Sequence, residues 1–153
     1  MPIEKTEYLP SSRINKKIRN LRYNGKEIYI NLYGNYFDEK YKKYSNIIIN
    51  KHILQDKLIK ELEKMDLLYC PYWFDKKFKK PSRLSFPGKL VTYLKVGKPI
   101  LMHGPSYASP LIFLRENEAG YICSTNNENE FTLELKRIID DKNSKKILEN
   151  ANK

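Results

Sequence analysis

The sequence predicts an α/β domain: a three-layer, Rossmann-like, doubly wound parallel sheet. Two observations carry that prediction. Short apolar runs rich in β-branched and aromatic residues alternate with longer segments whose apolar residues recur at helical spacing. Successive runs are also separated by connections long enough for crossovers, which parallel strands require. At 153 residues the chain matches one domain, with no internal repeat and no linker-like stretch, and a chain of this size buries roughly two-thirds of the surface it exposes when unfolded.

The elements follow in order. Glu4 to Leu9 is a weakly patterned first strand, and residues 1–10 are expected to be weakly ordered or to form only part of it. Ser11-Ser12 caps a helix through about Asn24, with Ile14, Ile18 and Leu21 at helical spacing and Asn24-Gly25 closing it. Glu27 to Tyr33 is a strand ending at Gly34, and Asn46 to Asn50 a second. Gln55 to Lys64 is a helix with Leu58, Ile59 and Leu62 on one side. Asp66 to Cys70 is a buried strand stopped by Pro71. After a basic loop, Lys89 to Val96 is helical and halted by Gly97, and Pro99 to His103 is the next strand. Pro110 opens another helix where proline is tolerated. Gly120 to Cys123 is the last strand, followed by helices from about Glu128 to Asp140 and Ser144 to Asn152.

Composition excludes several classes. With 41% hydrophobic and 31% charged residues, the chain is neither low-complexity nor disordered in character. No apolar run approaches the roughly 18–20 residues of a membrane helix, and Met1-Pro2-Ile3-Glu4-Lys5-Thr6 lacks the apolar core of a signal peptide. Cys70 and Cys123 are far apart, fitting small core residues in a reducing compartment better than a disulfide or zinc framework. A cytoplasmic location is expected, compatible with peripheral association at the inner face of the membrane. The balance of 29 basic and 18 acidic residues gives +11, which raises the question of nucleic acid. The basic residues are mostly lysines spread along the chain beside heavy use of Ile, Asn and Tyr, a compositional bias, so no nucleic-acid partner is expected. The densest cluster, Lys76-Lys77-Phe78-Lys79-Lys80, reads as a solvated loop, with contact to an anionic ligand or membrane surface as the alternative.

From Met65 to Cys123 the chain resembles the donor-binding, C-terminal Rossmann-like lobe of GT-B glycosyltransferases of the retaining family 4 type. The matching pieces come in order: an Asp-Leu-Leu strand ending in Pro (Asp66 to Pro71), a Ser-Phe-Pro-x-Lys turn (Ser85 to Lys89), a helix with a Tyr-Leu pair, the Gly97-Lys98-Pro99-Ile100 lead into the next strand, and Gly120 before the last. Upstream, Tyr33-Gly34 is similar to a family strand ending in Tyr-Gly, and Asn46 to Leu62 follows the family's rhythm less closely. The resemblance implies transfer of a hexose-like sugar from a nucleotide diphosphate sugar to a glycan or lipid-linked acceptor, with no cofactor or metal.

Physical chemistry points to the same turn. In an open α/β sheet, ligands bind beyond the carboxyl ends of the strands, where helix N-termini attract phosphate. At Ser85, Phe86, Pro87, Gly88 and Lys89 a glycine allows close backbone approach, first-turn amides face the ligand, and Lys89 adds a point charge for a diphosphate. The structural alternative has Ser85 capping a helix, Phe86 filling a core gap, Pro87 setting the first turn and Lys89 solvated. The resemblance implies a pair of glutamates around this turn for the donor sugar and ribose. Leu84 and Thr92 stand there instead; Thr92 can still make a hydrogen bond but cannot grip a diol, and Leu84 can make none. Pro10-Ser11-Ser12-Arg13 stands where the family has a glycine-containing phosphate loop, and its serines read more simply as caps.

The resemblance puts the nucleobase beyond the Asn46 to Asn50 strand, near Gly34, Lys51, His52 and Ile53, with His52 otherwise a solvent-facing loop residue. His103 reads as a rim residue facing ligand or as a packed strand end. Tyr72, Trp73 and Tyr107 either edge a sugar or membrane pocket or cover strand ends. The two histidines have no carboxylate at metal-ligand spacing. A GT-B enzyme also needs an N-terminal acceptor lobe. This chain holds one lobe, so alone it is expected to bind nucleotide without turnover. A non-catalytic binding or partner module on the same fold is the second expectation.

Overall fold

The computed structural model describes residues 21–34, 39–142 and 144–151. The expected strand at Glu4 to Leu9, the Pro10 to Arg13 loop and most of the first expected helix lie outside them.

The end of that helix is described, and it is not helical. Arg22–Tyr23 (β1) and Lys26–Glu27 (β2) form an antiparallel hairpin around Asn24-Gly25, whose φ angles are 50° and 75°. Two successive left-handed residues are what a tight hairpin turn needs, and Asn-Gly supplies them cheaply. The expected strand from Glu27 is therefore divided, its second part being Ile30–Tyr33 (β3).

β3 pairs in parallel with Ile47–Asn50 (β4), from Ile30 opposite Ile47 to Tyr33 opposite Asn50. Leu68–Pro71 (β5), Ile100–His103 (β6) and Tyr121–Cys123 (β7) form a second parallel ladder in that order. Ile30 packs with residues of β5 to β7, and the Asn31 amide lies 3.5 Å from the Met65 sulfur, so β3 sits at the flank of this ladder. Pro71 does not stop β5. It pairs with His103 at the strand's end, tolerated because the ladder runs on only one side of β5.

The connections are helices: Gln55–Leu62 (α1), Lys79–Leu84 (α2), Gly88–Val96 (α3), Ser109–Glu116 (α4), Glu128–Asp140 (α5) and Ser144–Ala151 (α6). α3 stops at Gly97 with φ 69°, and Pro110 lies in the first turn of α4, both as the sequence predicts. The basic run is more ordered than a loop. Asp75 accepts from the Lys77 amide and caps a 3₁₀ turn over Lys76–Phe78, which runs directly into α2.

Strand alternation divides the core in two. Leu68, Cys70, Ile100 and Met102 face α1, α3 and α4 through Leu62, Leu90, Leu111 and Leu114. Leu101, Tyr121 and Cys123 face the other way, against Phe131, Leu135 and Ile138 of α5. Helices thus cover both faces of a parallel sheet, an α/β architecture compatible with a Rossmann-like fold. Among the described residues, no helix is long and apolar enough to cross a membrane.

Leu111 has no exposed surface and lies where α4 meets β6. Leu111→Ala should cost about 2–5 kcal/mol of unfolding free energy, read from the urea midpoint at unchanged slope.

Candidate functional site

Because β5, β6 and β7 run in parallel, their carboxyl ends form one rim, which carries Tyr72 and Trp73, the Gly104 to Ser109 loop and the residues after Cys123. β3 and β4, parallel to each other in their own ladder, end at Gly34 and at the Lys51 to Ile53 loop.

The centre of the rim is held by Ser85. The Ser85 hydroxyl donates to the Pro81 carbonyl at 2.8 Å, so the Tyr72 hydroxyl, 2.7 Å away, donates to Ser85 Oγ. The Ser109 hydroxyl donates to the Ser85 carbonyl at 2.6 Å. Ser85 thereby ends α2 and ties the exits of β5 and β6 together; it does not cap α3. Tyr72 reaches this position because residue 104 is glycine: a Cβ there would lie 2.7 Å from Tyr72 Cβ and 3.2 Å from Leu111 Cδ1.

The N-cap of α3 is Pro87, and no side chain bonds to the first-turn amides. Gly88 is exposed, and a Cβ on it would meet nothing within 4 Å, so the space beside its Cα is open. Lys89 is exposed too, and its field reaches the end of β5: burial pushes the Cys70 thiol up to about 11, opposed by the nearby Lys89 ammonium. Thr92 donates to the Gly88 carbonyl at 3.3 Å, along its own helix. Leu84 and Phe86 are exposed, with the Phe86 ring edge-on to Phe113 at 5.3 Å, so Phe86 does not fill a core gap. The start of α5 is different. Asn127 Oδ1 accepts from the amides of Asn129 and Glu130 and occupies that helix end.

Below the rim, His103 is buried and both of its ring nitrogens are bonded. Nε2 lies 2.6 Å from the Thr125 carbonyl, which can only accept, so Nε2 carries the proton; Nδ1 accepts from the Tyr69 hydroxyl at 2.9 Å. Phe74 and Phe131 rings flank the imidazole at 5.1 and 4.6 Å. Of the two readings of His103, the packed strand end describes its surroundings. Burial lowers its pKa, partly offset by the Thr125 carbonyl. Tyr72 is likewise buried, and Trp73 stacks on Phe78 at 5.2 Å, so both cover the end of β5. Tyr107 is half-buried under the Lys79 ammonium.

A second feature opens at the ends of β3 and β4. Tyr33, Asn50, Lys51, Ile53, Lys57, Lys60 and Glu61 line a cleft of about 360 Å³. Ile53 lines it; His52 is exposed beside it, and Gly34 follows Tyr33 with its amide donating to the Asn50 carbonyl at 3.2 Å. Sequence reasoning reached Lys51 and Ile53 but not Lys57, Lys60 and Glu61. Their spacing, one turn apart on α1, was the available signal. Glu61 is engaged by Lys64 at 2.7 Å. Among the described residues, no three His, Cys, Asp or Glu side chains gather as a metal site would require.

No protein-family model matches this chain, and no curated protein matches it.

The lowered His103 pKa sets a pH dependence. The unfolded imidazole takes a proton near its ordinary pKa of about 6.5, while the folded one stays neutral to lower pH, so stability falls as pH drops below about 6.5. Above that, both forms are neutral and the effect vanishes. Melting midpoints across pH 5 to 8 should fall more steeply on the acid side for the parent than for His103→Gln, which keeps a donor and an acceptor but does not titrate. Parallel profiles would reject the assignment.

Proposed function

We propose that the chain is the donor-binding lobe of a GT-B glycosyltransferase of the retaining family 4 type, and that it holds the diphosphate of a nucleotide sugar at the start of α3. The observation that carries this reading is a helix N-terminus on the carboxyl rim with no side-chain cap, open space beside the Gly88 Cα and the exposed Lys89 in its first turn. A helix end without a side-chain cap and a lysine in its first turn suit a phosphate better than they suit water alone. The cleft beside Ile53 offers Tyr33 as an aromatic wall and Asn50 as a polar group, suited to a nucleobase.

In the joined enzyme, an acceptor hydroxyl oxygen forms the new bond to the anomeric carbon as the bond from that carbon to the diphosphate breaks, and the hydroxyl proton passes to the departing diphosphate oxygen. The leaving diphosphate gains charge, and Lys89 with the α3 amides stabilises it. The acceptor, a glycan or lipid-linked sugar, belongs to an N-terminal lobe, so this chain alone binds donor without turning it over. Leu84 and Thr92 favour a second reading, a non-catalytic module on the same fold: neither offers a carboxylate for the ribose diol, and the Thr92 hydroxyl is already given to Gly88.

Calorimetric titration with UDP, GDP and ADP separates the two. The donor-lobe reading expects one ribonucleotide to bind, Lys89→Ala to weaken it about ten-fold or more, and the 2′-deoxy form to bind less tightly. Gly88→Ala should leave the melting midpoint unchanged or raised, by up to about 1 kcal/mol in stability, while weakening the nucleotide through its new methyl. No binding by a folded chain, or full binding by Lys89→Ala, would overturn the α3 assignment.

A further inference from the structure

The lysines run throughout the chain, but the acids do not. From Lys76 to Arg115 there is no Asp or Glu, and nine Lys and Arg residues fall in that stretch, so it carries +9 of the total +11. Six of the nine, Lys76, Lys77, Lys79, Lys80, Arg83 and Lys89, lie exposed on the connection from β5 into α3. Charge that sequence alone presents as diffuse is therefore concentrated beside the rim.

The same surface is apolar. Leu84 is 76% exposed, Phe86 41%, Phe113 39% and Ile112 37%. The segments that carry them are joined: Phe86 meets Phe113 edge-on at 5.3 Å, and Ser109 at the start of α4 binds the Ser85 carbonyl between Leu84 and Phe86. Large side chains left in water together mark a contact surface. Exposed Leu, Ile and Phe beside a Lys- and Arg-rich connection, with acids only at its two ends in Asp75, 3.7 Å from the Lys77 ammonium, and Glu116, match the interface of an anionic bilayer, where apolar groups enter the acyl boundary and basic groups meet headgroups. Nucleic acid would use the charge but not the aliphatic groups.

We propose that the α2 to α3 turn and α4 form a docking surface for anionic phospholipid bilayers. The surface adjoins the start of α3, but the inference does not rest on nucleotide binding and is tested without nucleotide. The chain is sedimented with vesicles of phosphatidylcholine alone and of phosphatidylcholine with phosphatidylglycerol. Binding is expected to the mixed vesicles only and to weaken with salt. Lys76→Gln/Lys80→Gln/Arg83→Gln should weaken it about five-fold for each charge removed. Leu84→Ser/Ile112→Ser, which removes no charge, should weaken it about ten-fold. A control of equal charge, Lys136→Gln/Lys142→Gln/Lys145→Gln, should bind nearly as the parent does, and melting midpoints verify that each variant is folded. Equal binding to both vesicle types, no binding, or equal losses in the two charge variants would overturn the proposal. So would parent-level binding by Leu84→Ser/Ile112→Ser together with tight binding of single-stranded RNA, which would make the surface a nucleic-acid site.

Discussion

The hydrogen bonds that converge on Ser85 hold the carboxyl rim in one arrangement. Tyr72 brings in the end of β5, Ser109 the start of α4, and Pro81 the last turn of α2. Each neutral bond contributes only about 1 kcal/mol, but together they fix the turn that aims α3. The tie depends on glycine at residue 104, since any side chain there would push Tyr72 away from Ser85. The open helix end before Gly88 and the apolar face at Leu84 and Phe86 both inherit their positions from this tie.

The rim divides its helix ends between closed and open. α5 has its Asn129 and Glu130 amides occupied by Asn127, and behind it His103 is engaged with the Thr125 carbonyl on one side and the Tyr69 hydroxyl on the other. That side is structural: a neutral imidazole with both nitrogens bonded locks β5, β6 and the strand after it together. α3 has a proline at its cap and a glycine behind it, neither with a side-chain acceptor, and only the Pro87 carbonyl takes an amide there, that of Leu90 at 2.9 Å. The two helix ends thus differ in whether a side chain caps them.

Much of the architecture was legible because it is written in local periodicity. Strands β4, β6 and β7 and helices α1, α3, α4, α5 and α6 fall within a residue or two of their expected bounds, since apolar spacing and the stops at Gly97 and Pro110 act locally. The failures have physical causes. Asn24-Gly25 serves helix ends and hairpin turns alike, and only the partner strand decides between them. α2 went unseen because Lys79 to Leu84 has one large apolar residue and a proline, so its helix rests on the ties of Ser85 and not on an apolar stripe. Sequence left His103 open between a ligand-facing rim residue and a packed strand end, because its surroundings depend on Phe131 and Thr125, distant in sequence. The cleft at β3 and β4 was half visible, through Lys51 and Ile53, because α1 supplies the rest from its polar side.

The division of the core by strand alternation reaches beyond packing. β5, β6 and β7 each send neighbouring residues to opposite clusters, as Leu101 and Met102 do on β6. Neither cluster can loosen without shifting the backbone that the other rests on, so the two faces behave as one cooperative unit with the strands as its shared spine. In exchange with heavy water, the amides of Ile100 to His103, central in the three-strand ladder, would surrender their protons last and together. The β1–β2 hairpin, paired across only two residues a side, would give them up first.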